Sequence, residues 1–108
     1  MKPSGPFDEV KAADLVARYQ RGQLGALADL YRFLEPAIRT GERRYRSINL
    51  PTSLTRQDIS QQCWIILADL ARRWHPRPRG SFLAYFFRTF PHRLQQFVHR
   101  ARPQFLSS

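Results

Sequence analysis

The sequence has a single cysteine, Cys63, so it can form no internal disulfide and holds no Cys-x-x-Cys metal site. Acidic residues run out early: Asp69 is the last of them. Lysine is scarce too, with only Lys2 and Lys11. No apolar run is long enough to span a bilayer, and the opening MKPSGPFDEV lacks the apolar core of a signal peptide. No segment alternates with strand period, and there is no internal repeat or low-complexity block. A P-loop, a glycine-rich phosphate cradle, paired carboxylates and a Cys/His/Asp constellation are all missing, which argues against an enzyme. His92 and His99 stand two helical turns apart, too far for the usual i,i+4 metal pair, so no metal or cofactor is expected. Cys63 falls among apolar residues at helical spacing and reads as a buried free thiol, which fits a reducing cytoplasm.

What the sequence has is arginine. Eighteen Lys+Arg against eight Asp+Glu give a net charge of +10 and a pI near 11.2. Arg72, Arg73, Arg77, Arg79, Arg88, Arg93, Arg100 and Arg102 all follow the last acid. Arginine offers planar, bidentate recognition of phosphates and base edges, and a one-sided basic half points to a polyanion such as nucleic acid. The plainer reading is a solubilising surface. With 108 residues and 43% hydrophobic content, the chain is one domain with a modest core.

Periodicity predicts an all-α bundle of four to five helices. Residues 1–12, with Pro3, Gly5 and Pro6, read as a flexible tail, 13–101 as the helical domain, and 102–108 as a second tail. DLVARYQRG (14–22) is a short helix ended by Gly22. The pattern over 26–46 repeats Leu27, Leu30, Tyr31, Leu34 and Ile38, with Pro36 expected to kink or split it and Gly41 to weaken it. SINLPTSL (47–54) is a loop. Thr55 to Asp58 has capping-box spacing and opens a helix running to about Trp74. HPRPRG (75–80) is a connector, Ser81 a cap, and the last helix runs to about residue 101, with a bend or break expected near Pro91.

The two later helices each sort into two faces at about 100° per residue. On the first, Ile59, Cys63, Ile66, Leu67, Leu70 and Trp74 form the core stripe. Gln61, Trp64, Ile65, Ala68 and Arg72 lie opposite, and the Trp64/Ile65 pair there is either a partner surface or is covered by another helix. On the last helix, Leu83, Phe86, Phe87, Phe90, Leu94, Phe97 and Val98 form the core stripe. Tyr85, Arg88, Thr89, His92, Gln95, Gln96 and His99 make up the polar face, with Phe82, Arg93 and Arg100 at its edge. Arg and His supply donors to phosphate and base edges, Gln fits an adenine edge, and Tyr85 and Phe82 are placed to stack on an unpaired base. The alternative is a solvated polar face.

The ordered series over residues 13–100 resembles region 2 of bacterial sigma factors of the sigma-70 class. The matching segments are DLVARYQRGQLGALADLYRFLEPAIR (14–39), DISQQCWIILADLARRW (58–74), GSFLAYFFRTF (80–90) and the basic end HR (99–100). The resemblance implies that the helix over 58–74 docks on the clamp helices of the RNA polymerase β′ subunit, through Gln61, Gln62, Trp64, Ile65, Ala68 and Arg72. It implies that the helix over 82–100 holds the −10 promoter element and captures unstacked non-template bases. By position the residues would be Phe82, Tyr85, Arg88, Thr89, His92, Gln95, Gln96, His99 and Arg100. Gln62 stands where the family has glutamate, and Arg88 and Thr89 stand where housekeeping members have paired tryptophans. The small alternative sigma factors and the sigma-like regulators of mobile elements are therefore nearer. The sequence stops where region 2 stops, so a separate −35-reading partner is expected, and an anti-sigma protein is another partner of this class.

Three functions compete at this stage. The first is a transcription-initiation module that binds core polymerase and promoter DNA in the cytoplasm, with no membrane partner. The second is a sigma-like DNA-binding regulator that does not bind polymerase. The third is an interaction protein that never touches DNA; the basic last helix argues against it.

Overall fold

A computed structural model describes residues 8–45, 56–76 and 80–100. They form four α-helices: α1 (Glu9–Gln20), α2 (Gly25–Arg43), α3 (Arg56–Arg73) and α4 (Phe82–Arg100). No strand occurs among the described residues. The chain is a compact all-helical bundle, as the periodicity predicts.

The first helix starts earlier than expected, inside the segment read as a tail. Asp8 caps it, its Oδ1 accepting from the Val10 N–H at 2.9 Å, and Glu9 follows in the first turn. The cap outweighs the Pro/Gly content just upstream. The end of α1 is a Schellman turn: Gly22 has φ +99°, its N–H donates to the Tyr19 carbonyl, and the Gln23 N–H donates to the Arg18 carbonyl. Only glycine takes that φ cheaply, so Gly22 fixes where α2 can begin.

Neither internal proline breaks its helix. α2 runs through Pro36 and α4 through Pro91. Pro36 lies on the exposed side of α2, and the Thr40 hydroxyl donates to the Pro36 carbonyl at 2.9 Å. The bond Pro36 cannot make is to the Arg32 carbonyl, and both residues are exposed, so water can take its place. Pro91 is half-buried beside α2. The capping box proposed at Thr55, the 47–54 loop, residues 77–79 and the 102–108 tail lie outside the described residues.

The core is assembled from one stripe of each helix. Ala12, Leu15 and Val16 of α1 meet Leu30, Leu34 and Ile38 of α2, while α3 adds Ile59, Cys63, Ile66, Leu67 and Leu70. α1 packs on all three other helices, and α3 lies along α4. Polar side chains lock these contacts. The Glu9 carboxylate accepts from the Phe82 and Leu83 N–H groups at 2.8 and 2.9 Å, closing the N-terminus of α4 from across the bundle. The Ser81 hydroxyl accepts from the Ala84 N–H at 3.1 Å, the cap its position predicts. The Gln20 Nε2 donates to the carbonyls of Ala71 and Trp74 at 2.8 and 2.7 Å, satisfying the end of α3.

Candidate functional site

Two surfaces carry the residues singled out from the sequence. The first is the outer side of α3. Burial of Ile59, Cys63, Ile66, Leu67 and Leu70 orients that helix. Gln61, Trp64, Ile65 and Arg72 consequently face solvent, with Gln62 and Ala68 half-buried beside them. Ile65 is 57% exposed and Trp64 38%. The difference has a cause: the Trp64 ring lies flat on Tyr31 of α2, with centroids 4.0 Å apart and planes 5° from parallel. Part of the Trp64 surface is thus covered within the domain, whereas Ile65 is open.

Polar groups flank this stack. The Ser60 hydroxyl donates to Glu42 at 2.8 Å, tying the start of α3 to the end of α2, and Arg39 pairs with Glu35 at 2.8 Å. Burial, then the neighbouring Cys63 and Glu42, pushes the Tyr31 phenol up to about 12. Burial also pushes the Cys63 thiol up to about 12, reinforced by the Glu42 carboxylate beside it. Cys63 is a protonated core thiol without nucleophilic character, as its spacing predicts.

The second surface is the outer arc of α4. Arg88, His92, Gln95, Gln96, His99 and Arg100 are exposed and Thr89 is half-buried. No residue of α4 is acidic. The arc is anchored from α3, where Asp69 accepts from Arg93 at 3.0 Å while also pairing with Arg72 and Arg73. Partial burial of the Asp69 carboxyl opposes its ionisation, but the hydrogen bonds from Arg93, Arg72 and Arg73 outweigh that and hold it below its ordinary 3.8. Arg93 is therefore committed to the fold and is not part of the open cationic arc.

Three residues on α4 are placed differently from their sequence reading. Phe82 is 0% exposed and Tyr85 6%, so neither ring stands on the polar face. Phe82 packs edge-on to Trp74 at 5.8 Å and to Tyr85 at 6.4 Å, and both Phe82 and Phe86 are fully enclosed. The cause is the docking of α4's first turn onto Glu9, which brings α1 and Trp74 over that side of the helix. Phe87, assigned to the core by its spacing, is 45% exposed instead. Tyr31 and Glu9 were missed as site-building residues: one reads as ordinary α2 core, and the other falls in the supposed tail.

Among the described residues, no cluster of three or more His, Cys, Asp or Glu side chains is placed to hold a metal ion. No helix among them is long and apolar enough to cross a membrane. Comparison of the chain with protein-family models, curated proteins and solved structures finds no match in any of the three.

Proposed function

We propose that this chain is a cytoplasmic transcription-initiation module of the sigma region 2 kind, binding core RNA polymerase through α3 and promoter DNA through α4. The observation that carries the reading is one pairing of surfaces. An open stripe of Gln61, Trp64, Ile65 and Arg72 on α3 sits one helix away from an acid-free cationic arc on α4. An apolar pair ringed by polar residues suits a protein partner. An arc of Arg, His and Gln suits a nucleic acid.

The two roles separate experimentally. Ile65→Glu is expected to abolish binding to core polymerase and leave the fold and DNA binding intact. Arg88→Ala is expected to weaken DNA binding and reduce its salt dependence, with polymerase binding unchanged. A folded Ile65→Glu protein that still binds polymerase would remove the α3 assignment.

A second reading is favoured by the Trp64–Tyr31 stack, which already covers one member of the apolar pair inside the domain. On that reading the protein is a DNA-binding regulator that leaves polymerase alone. It predicts Arg88-dependent DNA binding in a protein indifferent to core polymerase.

A further inference from the structure

α2 and α4 are the least closely packed pair of helices in the bundle. A groove of about 390 Å³ runs between the C-terminal half of α2 and the middle of α4. This is near the small end of the range for ligand clefts, roughly 300–1,000 Å³. Phe90 and Leu94 lie at its bottom, with the half-buried Ala37, Tyr45 and Pro91 along its sides. Gly41 keeps the gap open. A Cβ there would sit 3.5 Å from Phe90 and 3.8 Å from Leu94, which is ordinary contact and no clash. Alanine would fit, and a helix prefers it, so the glycine leaves room that the packing does not require.

The polar groups of the groove gather at one end. Arg44 is the C-cap of α2 and is exposed, and its guanidinium has no ion pair or hydrogen bond among the described residues. Arg32 and Arg39, on the same helix, are each paired with an acid. A cation at a helix C-terminus also answers the helix dipole, so the charge of Arg44 alone does not mark a site. The apolar gap beside it is the second observation. Burial pushes the Tyr45 phenol up against the opposing pull of Arg44, so its hydroxyl is a protonated donor. That hydroxyl, too, has no hydrogen-bond partner among the described residues. No acidic side chain lines the groove, and the Thr40 hydroxyl is already committed to the Pro36 carbonyl.

We infer that this groove is a binding site for a small organic carboxylate with an unbranched apolar chain, the carboxylate held by Arg44 and Tyr45 and the chain lying over Phe90 and Leu94. One unpaired cation and one neutral donor match a monoanion, and a carboxylate can take two N–H groups of a guanidinium at once. Phe90 and Leu94 are almost fully enclosed, which leaves a narrow slot suited to a chain rather than a ring. An apolar protein segment gains nothing from Arg44, and a polyanion gains nothing from the apolar slot. The inference is independent of the roles proposed for α3 and α4. By joining two helices that barely touch, the ligand stabilises the bundle it binds.

The test is calorimetric titration of the full chain with decanoate, and with decanol as the uncharged control, followed by thermal melts. The wild type is expected to bind decanoate at one saturable site, about fivefold or more tighter than decanol, and to melt higher with it. Arg44→Gln brings decanoate down to the level of decanol, and Tyr45→Phe weakens it several-fold in a folded protein. Gly41→Leu fills the slot and removes binding of both compounds. Gly41→Ala, which the helix favours, weakens both at a raised melting temperature and serves if the leucine variant fails to fold. Equal binding of decanoate and decanol by the wild type would overturn the carboxylate end of the site. Undiminished binding by folded Gly41→Leu or Gly41→Ala would overturn the groove as its place. A ligand-free dimer that Gly41→Leu turns into a monomer would give the groove to a second copy of the chain instead. A folded wild type that binds no decanoate would overturn the inference and leave the proposed function untouched.

Discussion

The Glu9 carboxylate sits at the start of α1 and accepts two N–H groups at the start of α4. Replacing it with alanine strips both donors of their partner and loosens the join between the first and last helices. A loss of about 1–2 kcal/mol is expected, the range for a cap combined with a charge-assisted bond, read as a lower urea midpoint at unchanged slope. Tyr85 belongs to the same scale. As a buried ring, it should cost stability when cut to alanine, about 3–5 kcal/mol by analogy with other large core rings. An exposed base-stacking tyrosine would cost almost nothing, so thermal unfolding of Tyr85→Ala distinguishes the two placements. Cys63 should resist an aromatic disulfide reagent near neutral pH in the native protein, because burial beside Glu42 keeps the thiol protonated. It should react fully once the protein is unfolded in guanidinium, and fast labelling of the native protein would contradict its place in the core.

At the scale of elements, α3 and α4 differ in how much of them the sequence reveals. Ile59, Cys63, Ile66, Leu67 and Leu70 of α3 fall on one stripe, so its buried side is legible from spacing, with Gln61, Trp64 and Ile65 opposite; that Tyr31 covers part of Trp64 and leaves Ile65 open is not. α4 carries rings at 82, 85, 86, 87, 90 and 97, which surround most of the helix. Periodicity then cannot choose the buried arc. The choice is made by a contact distant in sequence, Glu9 on the first turn of α4, and that contact was hidden because Glu9 lies in a segment rich in Pro and Gly. Of the kink or break expected at Pro36 and Pro91, the break does not occur, because packing of the flanking turns holds each helix through a single missing bond. The α3–α4 join also gives a pH prediction. The folded Asp69 carboxyl ionises below its ordinary 3.8. Its contribution is therefore fully present above that value and is lost as pH falls through the lower folded value. The stability gap between wild type and Asp69→Asn should be widest near neutrality and should shrink in acid. A constant gap would mean that Asp69 contributes nothing through its charge. The exposed partners Arg72 and Arg73 should matter little, and Arg93, which joins two helices, most.

For the whole molecule, charge and architecture point the same way. A small helical bundle with +10 net charge places its acids on α1, α2 and α3 and none on α4. Binding to any DNA should accordingly weaken steeply with salt, with a log–log slope set by the number of phosphates neutralised. A salt-independent affinity would contradict the polyanion role. The fold class was legible from composition and period, because amphipathic helices of this length leave few other ways to bury their stripes. The partners are not legible in the same way, since one exposed isoleucine beside a tryptophan specifies a surface and not what covers it.

The central claim is that α3 binds RNA polymerase, and a titration of the labelled chain against purified bacterial core enzyme tests it most directly, with Ile65→Glu alongside. Saturable binding by the wild type that disappears in a folded Ile65→Glu protein is the predicted result. No binding by the folded wild type, at polymerase concentrations where a sigma-type contact saturates, would contradict the account and leave a DNA-binding regulator in its place.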